Sequence, residues 1–118
     1  MTPETPELKP TIQISDLEKI DIRVGTIKKI EDVEDSNKLI KLEVDFGNFS
    51  RTILAGIKKE RENIQEIEGK QALFIVNLEP RKMADHVSEG MLFAIGQANE
   101  IPVLVVPEKP VPDGSSAH

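Results

Sequence analysis

Across Lys38-Leu39-Ile40-Lys41-Leu42-Glu43-Val44-Asp45-Phe46 the apolar side chains settle into every second position, the period of a strand with one buried face. Gly47-Asn48 follows as a two-residue hairpin signal, and Ser50-Arg51-Thr52-Ile53-Leu54-Ala55-Gly56 returns as a partner strand. Upstream, Ile22-Arg23-Val24-Gly25-Thr26-Ile27 alternates in the same way, and Gly25 inside it predicts a bulge or a sharply coiled bend. With Ile22 and Val24 turned inward, Arg23 points outward, as a solvated charge or a phosphate contact. From Ile57 to Glu68 the composition is helical, Ile64 and Ile67 share a side, and Gly69 is placed as a stop. Two short β-branched and aromatic runs, Gln71–Val76 and Met91–Ile95, supply two more strands. Between them lie Pro80, the adjacent cations Arg81 and Lys82, and Gly90, and this stretch reads as a loop.

Three strands in succession, a helix, then two further strands is the order of an OB-fold. The prediction is an all-β, five-stranded Greek-key barrel with a helix between strands 3 and 4 plugging its base. A first strand that pairs with both neighbours needs strong curvature, which Gly25 allows. The expected boundaries are a flexible N-terminal arm over residues 1–14, the barrel domain over 15–112 and a C-terminal tail over 113–118. Three prolines and little apolar content mark the arm. Ser15 or Asp16 is placed to cap a short helix running to Ile20. The run Ile101-Pro102-Val103-Leu104-Val105-Val106-Pro107 is apolar enough to need burial; with five strands already assigned, it must pack on the outside of the barrel.

Composition narrows the chemistry. A chain of 118 residues makes one domain with its own core. There is no cysteine, hence no disulfide or thiolate metal site, and two histidines do not furnish a conventional zinc site. No glycine-rich phosphate loop is present. Asp85, His86 and Ser88 hold the letters of a catalytic triad, but near neighbours on one loop do not reach the nucleophile, base and orienter positions. Neither catalysis nor a cofactor is therefore expected. Without a signal peptide or a long apolar span, a cytoplasmic location with no membrane partner is the simplest reading.

The net charge of −6 argues at first against a nucleic-acid partner, but its distribution softens that argument. Residues 1–21 hold 5 acids and 2 bases and residues 97–118 hold 3 acids and 1 base, whereas residues 22–96 hold 13 acids against 12 bases. The centre is close to neutral, which permits a local basic face. Trp and Tyr are absent, and of the four Phe only Phe49, at the hairpin turn, falls outside a core-like strand pattern. Base stacking is thus disfavoured relative to contacts with the phosphates and 2′-hydroxyls of a folded RNA. Arg81 and Lys82 suit phosphates, if they are not merely a solvated loop. Lys38 and Arg51 fall where such barrels usually present their nucleic-acid face. Asn77 and Ser88 offer neutral hydrogen bonds to ribose or base edges, and Met91 suits either a base contact or the core.

Asp21-Ile22-Arg23-Val24-Gly25, Asn77-Leu78 through Met83, and Ser88-Glu89-Gly90-Met91 together resemble the tRNA-binding domain family, over a span from about Asp16 to Pro112. That family includes free-standing structure-specific tRNA-binding proteins, C-terminal appendages of methionyl-tRNA synthetases, cytokine-related synthetase cofactors and CsaA-type chaperones. The resemblance implies an OB-fold that binds the outer corner of tRNA by shape, usually as a homodimer. It also implies a binding motif at the positions of Asn77, Lys82, Ser88 and Met91. A methionyl-tRNA synthetase becomes a possible partner, and the CsaA-type alternative is a dimer that holds peptides in an apolar groove. The N-terminal helix and the Ile101–Pro107 run are expected to help form the dimer interface, the alternative being that the run packs on its own barrel. Three places depart from the family pattern: Glu34-Asp35-Ser36-Asn37 ahead of Lys38, Glu79 where a lysine is common, and Ala84-Asp85 where Arg-Gly is common. Losing two or three phosphate contacts flattens the logarithmic salt dependence by roughly two or three.

Overall fold

The spine of the molecule is β1 (Ile22–Asp32), an 11-residue strand that serves both halves of a barrel. In this computed structural model residues 6–58, 63–96 and 102–118 are described. After a single helical turn, α1 (Ile14–Leu17), β1 is followed by β2 (Ile40–Asp45), β3 (Ser50–Ala55) and β4 (Gln71–Ile75). Then come β5 (Arg81–Met83), β6 (His86–Ser88), β7 (Met91–Leu92), β8 (Ala94–Ile95), β9 (Val103–Leu104) and β10 (Ser116–Ala117). The cap of α1 is Gln13 rather than Ser15 or Asp16; Asp16 instead accepts the Gln13 backbone N–H at 3.1 Å from within the first turn.

Strands β3-β2-β1-β4-β7 form one antiparallel sheet in that order. A backbone bond from Glu89 N–H to Thr52 O (2.8 Å) draws the β6–β7 turn onto β3, so the sheet nearly closes. This is the all-β, five-stranded OB-like barrel that the alternation predicts. The first half of β1 pairs with β4 and the second half with β2, and the ladder slips between Ile27 and Lys29. The irregularity expected at Gly25 is therefore displaced to Ile27–Lys29. What Gly25 provides is room, because a Cβ there would lie 2.5 Å from Val44 Cγ1 and 2.7 Å from the Phe46 ring. Its face looks into the barrel, so the inward set is Arg23, Gly25 and Ile27, and the expected parity of Ile22, Arg23 and Val24 is reversed.

The interior is filled by Phe46, Phe74, Ile27, Leu42, Ile53 and Ile67, all less than 2 % exposed. Each such side chain is worth about 1.5–3 kcal/mol of burial. Phe46 N–H donates to Phe49 O (2.8 Å) and closes the Gly47-Asn48 hairpin, with Gly47 at φ +94°. Of the expected helix over Ile57–Glu68, residues 59–62 lie outside the described residues. What is seen is one turn of 3₁₀ helix, Ile64–Ile67, which delivers Ile67 to the core and ends at Gly69, φ +87°.

The expected fifth strand divides at Phe93: β7 stays with β4, while β8 leaves to pair with β9. Strand β9 comes from the Ile101–Pro107 run, whose first residue lies outside the described set. Leu73 N–H donates to Val105 O (3.0 Å) and Leu104 packs on the core, so the run docks on its own barrel, although Val103 and Val106 stay exposed. The segment 113–118, expected as a tail, is knitted into the fold. Asp113 Oδ1 accepts the Thr26 hydroxyl (2.6 Å) and Gln71 Nε2 (2.9 Å), and β10 pairs with β1 through Ile22↔Ala117. Val24 lies beneath this strap: its N–H donates to Ser115 O and its carbonyl accepts Gly114 N–H.

Candidate nucleic-acid interface

The stretch expected as a loop between β4 and β7 contains a hairpin of its own. Strands β5 and β6 pair as Arg81↔Ser88, Lys82↔Val87 and Met83↔His86 around Ala84-Asp85. Both turn residues have positive φ, +48° and +65°, as a two-residue type I′ turn requires. Neither residue is glycine or asparagine, and strands of three residues show no periodicity, so the sequence carries little sign of it. Directly opposed residues share a face, which puts Arg81, Met83, His86 and Ser88 on one side and Lys82 and Val87 on the other. Met83 packs on Val33, Leu39 and Leu54, a small second core beneath the hairpin.

Two of the residues expected to contact a ligand are hydrogen-bonded to backbone. Ser88 is 3 % exposed; its hydroxyl accepts Leu54 N–H at 3.0 Å and donates to Gly90 O at 2.8 Å. Asn77 accepts Asp21 N–H at 2.8 Å and donates to Lys19 O at 2.7 Å, tying the end of the helical segment to the end of β4. Ser88 therefore spends its hydroxyl on backbone inside the fold, whereas exposed Asn77 keeps one N–H beyond its two backbone bonds. Met91 is 45 % exposed, which removes the core reading and leaves its thioether on the surface.

The cations fall into two sets. Arg23, Lys29, Lys41 and Lys58 are ion-paired with Asp21, Glu31, Glu31 and Asp32, and Lys19 with Asp16. Lys82 is 74 % exposed and only loosely paired with Asp85 at 3.8 Å. Among the described residues, Lys38, Arg51 and Arg81 have no carboxylate within ion-pair distance, and neither do Lys9, Lys28, Lys70 and Lys109, which lie elsewhere along the chain. Arg51 donates from Nη1 to Glu89 O (3.3 Å), and Arg81 stands across the ladder from Ser88, the residue before Glu89. Arg51 and Arg81 thus flank one turn, while Lys82 projects from the opposite face of the hairpin. Lys38 is exposed on the adjoining turn, whose carbonyls at Val33 and Ser36 are gripped by Lys58 Nζ at 3.3 and 2.9 Å. Lys38 itself is held through its backbone, its N–H on Ser36 Oγ and its carbonyl on Lys58 N–H. The four expected cations consequently form a paired set at the Glu89 turn and two outliers.

Phe49 is not free, as the sequence suggests. It stacks on Phe46 at 5.1 Å with 17° between the rings, and Phe46 meets Phe74 edge-on at 5.6 Å. Arg51 and Arg23 stand over the Phe49 ring at 5.2 and 5.8 Å. A two-pronged hydrogen bond to Asp21, Nε to Oδ1 at 2.9 Å and Nη2 to Oδ2 at 3.2 Å, holds the Arg23 guanidinium more firmly protonated than usual.

Ser88 Oγ is bonded to backbone, and His86 Nε2 faces Asp35 Oδ1 at 3.7 Å. Among the described residues no three His, Cys, Asp or Glu side chains gather to hold a metal, and no helix is long and apolar enough to cross a membrane. Beside the β1–β4 sheet, Ile14, Leu17, Ile20, Ile22, Leu73 and Phe93 line a largely apolar groove of about 960 Å³, which Glu18, Lys19, Asp21 and Arg23 also border.

A small barrel with unpaired cations at one rim and an apolar groove behind is the architecture of a binding module. The chain belongs to the tRNA-binding domain family: residues 22–116 match the family described as "Putative tRNA binding domain". It is 38 % identical over 118 residues to a methionine–tRNA ligase of Chlorobium phaeovibrioides, covering 99 % of this chain but 16 % of that protein. Among solved structures, a MetRS-related protein from Pyrococcus horikoshii superimposes with a TM-score of 0.86 at 35 % identity, over 93 % of this chain and all of the other. The chaperone CsaA from Bacillus anthracis does so with a TM-score of 0.81 at 27 % identity, over 92 % and 100 %.

Proposed function

We propose that this protein binds tRNA without catalysing a reaction, recognising its shape through phosphate contacts made by Arg51 and Arg81, with Lys38 and Lys82 extending the surface. The observation that carries the reading is the pair of arginines flanking the Glu89 turn without carboxylate partners among the described residues. Membership of the tRNA-binding domain family supports tRNA as the ligand. Relatives that are methionine–tRNA ligases support a methionyl-tRNA synthetase as a cytoplasmic partner to which the domain brings tRNA. Polarisation of labelled tRNA, titrated between 50 and 200 mM salt, tests the site. Arg51→Ala with Arg81→Ala reduces the logarithmic salt slope by about 2 and weakens binding across tRNA species alike. An unchanged slope in that double variant would defeat the assignment.

The apolar groove is the surface we assign to a second copy of the chain, giving a homodimer whose interface is built from the N-terminal helix and β1–β4. The same groove favours a second reading, a CsaA-like chaperone that holds peptides. Sedimentation tests the dimer, which a monomer at micromolar concentration would overturn, and a peptide-binding assay separates the readings: a protein that ignores unfolded peptides keeps the first, and one that captures them supports the second.

A further inference from the structure

We propose that Phe49, Arg51 and Arg23 form a subsite for one unpaired nucleotide of the bound RNA, its base stacking on the Phe49–arginine platform and its phosphate taken by Arg51. The inference rests on the tRNA reading and adds base stacking to it, a mode that the scarcity of aromatic residues disfavours from sequence alone.

Three observations converge on this place. The core aromatics form a column, Phe74 to Phe46 to Phe49, that reaches the barrel mouth with its last ring parallel to the one beneath. Such a ring has little freedom to tilt, so it is a fixed floor for the side chains that lie on it. Two guanidiniums then stand over it at 5.2 and 5.8 Å, and both guanidinium planes and aromatic faces are surfaces on which unstacked bases settle. The two arginines differ in charge balance. Arg23 is answered by Asp21 and is a fixed plane, whereas Arg51 uses one N–H on a backbone carbonyl and keeps its charge and remaining donors for an anion. A guanidinium-covered ring with one uncompensated guanidinium fits a nucleotide better than a bare phosphate, which has no use for the flat surface, or an apolar peptide, which has no use for the charge.

Ring-proton NMR of the unaltered protein is the direct test, because only four phenylalanines contribute signals. Titration with a single-stranded RNA pentamer shifts the Phe49 ring and the Arg51 Nε–H resonance together, and an abasic pentamer of the same backbone shifts Arg51 alone. Phe49→Leu weakens labelled tRNA about tenfold, the worth of one stacked base, and leaves the salt slope unchanged. If the pentamer leaves the Phe49 ring unmoved while intact tRNA binds with its full salt slope, the subsite is wrong and the tRNA reading stands. If the pentamer shifts Phe49 but tRNA does not bind, the nucleotide subsite stands and the tRNA reading falls. No response to either RNA overturns both.

Discussion

Replacing Ser88 by alanine separates a structural serine from a ligand-binding one, and its cost follows from the geometry. The hydroxyl is 3 % exposed and joins Leu54 N–H of β3 to the Gly90 carbonyl, two chain segments that meet where the barrel closes. Alanine leaves a donor and an acceptor together without a partner or room for water. Buried groups left unsatisfied cost about 1–3 kcal/mol each; because the turn can relax outward, about 2–3 kcal/mol for the pair is the working figure. Near 60 °C the unfolding entropy of a chain this size is about 0.25 kcal/mol/K, so the midpoint falls by about 8–12 °C. Circular dichroism on heating reads that shift, and tRNA titration at 10 °C, where the variant remains folded, reads function. The expected outcome is a large loss of stability with little change in affinity. A Ser88→Ala protein that melts like the parent yet loses tRNA binding would refute the reasoning and return Ser88 to the interface.

Gly25→Ala pushes a methyl against Val44 and Phe46 at 2.5–2.7 Å, and urea denaturation should show a loss of about 1–3 kcal/mol from overpacking. Ala84→Asn with Asp85→Gly places turn-compatible residues at the two positive-φ positions; a gain of about 1 kcal/mol in the same assay is expected, and a loss would mean that the hairpin turn is not strained. The Glu31 carboxyl is held below its ordinary value of 4.5 by the hydrogen bond from Lys29, then by the Lys29 charge and that of Lys41. Its folded pKa being depressed, the stability it contributes is present above 4.5 and is lost as pH falls through the lower folded value, so Glu31→Gln should shallow the acid limb of a pH–stability curve and leave the neutral plateau's shape alone.

The barrel was legible wherever one face of a strand is buried and the other wet, as in Ile40–Phe46, because burial then writes itself as period two. It was misread in β1 because Gly25, the residue that faces the core, has no side chain to declare its direction. The β5–β6 hairpin escaped because its turn uses Ala84 and Asp85 in a conformation that their identities do not announce. The last residues escaped for another reason: Asp113 holds them through hydrogen bonds to Thr26 and Gln71, so no apolar pattern marks their burial. At the candidate site, Arg51 and Arg81 could be named from their charge. Asn77 and Ser88 carry hydrogen-bonding groups that suit a ribose or a neighbouring backbone equally well, and only the three-dimensional partners decide between them.

The strap formed by residues 114–117 bears on which strand edges the molecule leaves open. Strand β2 begins its pairing with β1 only at Thr26, and the backbone from Ile22 to Val24 would be an open edge on that side if residues 114–117 did not occupy it. A bare edge of this kind invites a strand from another molecule. Removing residues 114–117 would therefore leave that edge open to strand pairing between molecules, which sedimentation would read as self-association.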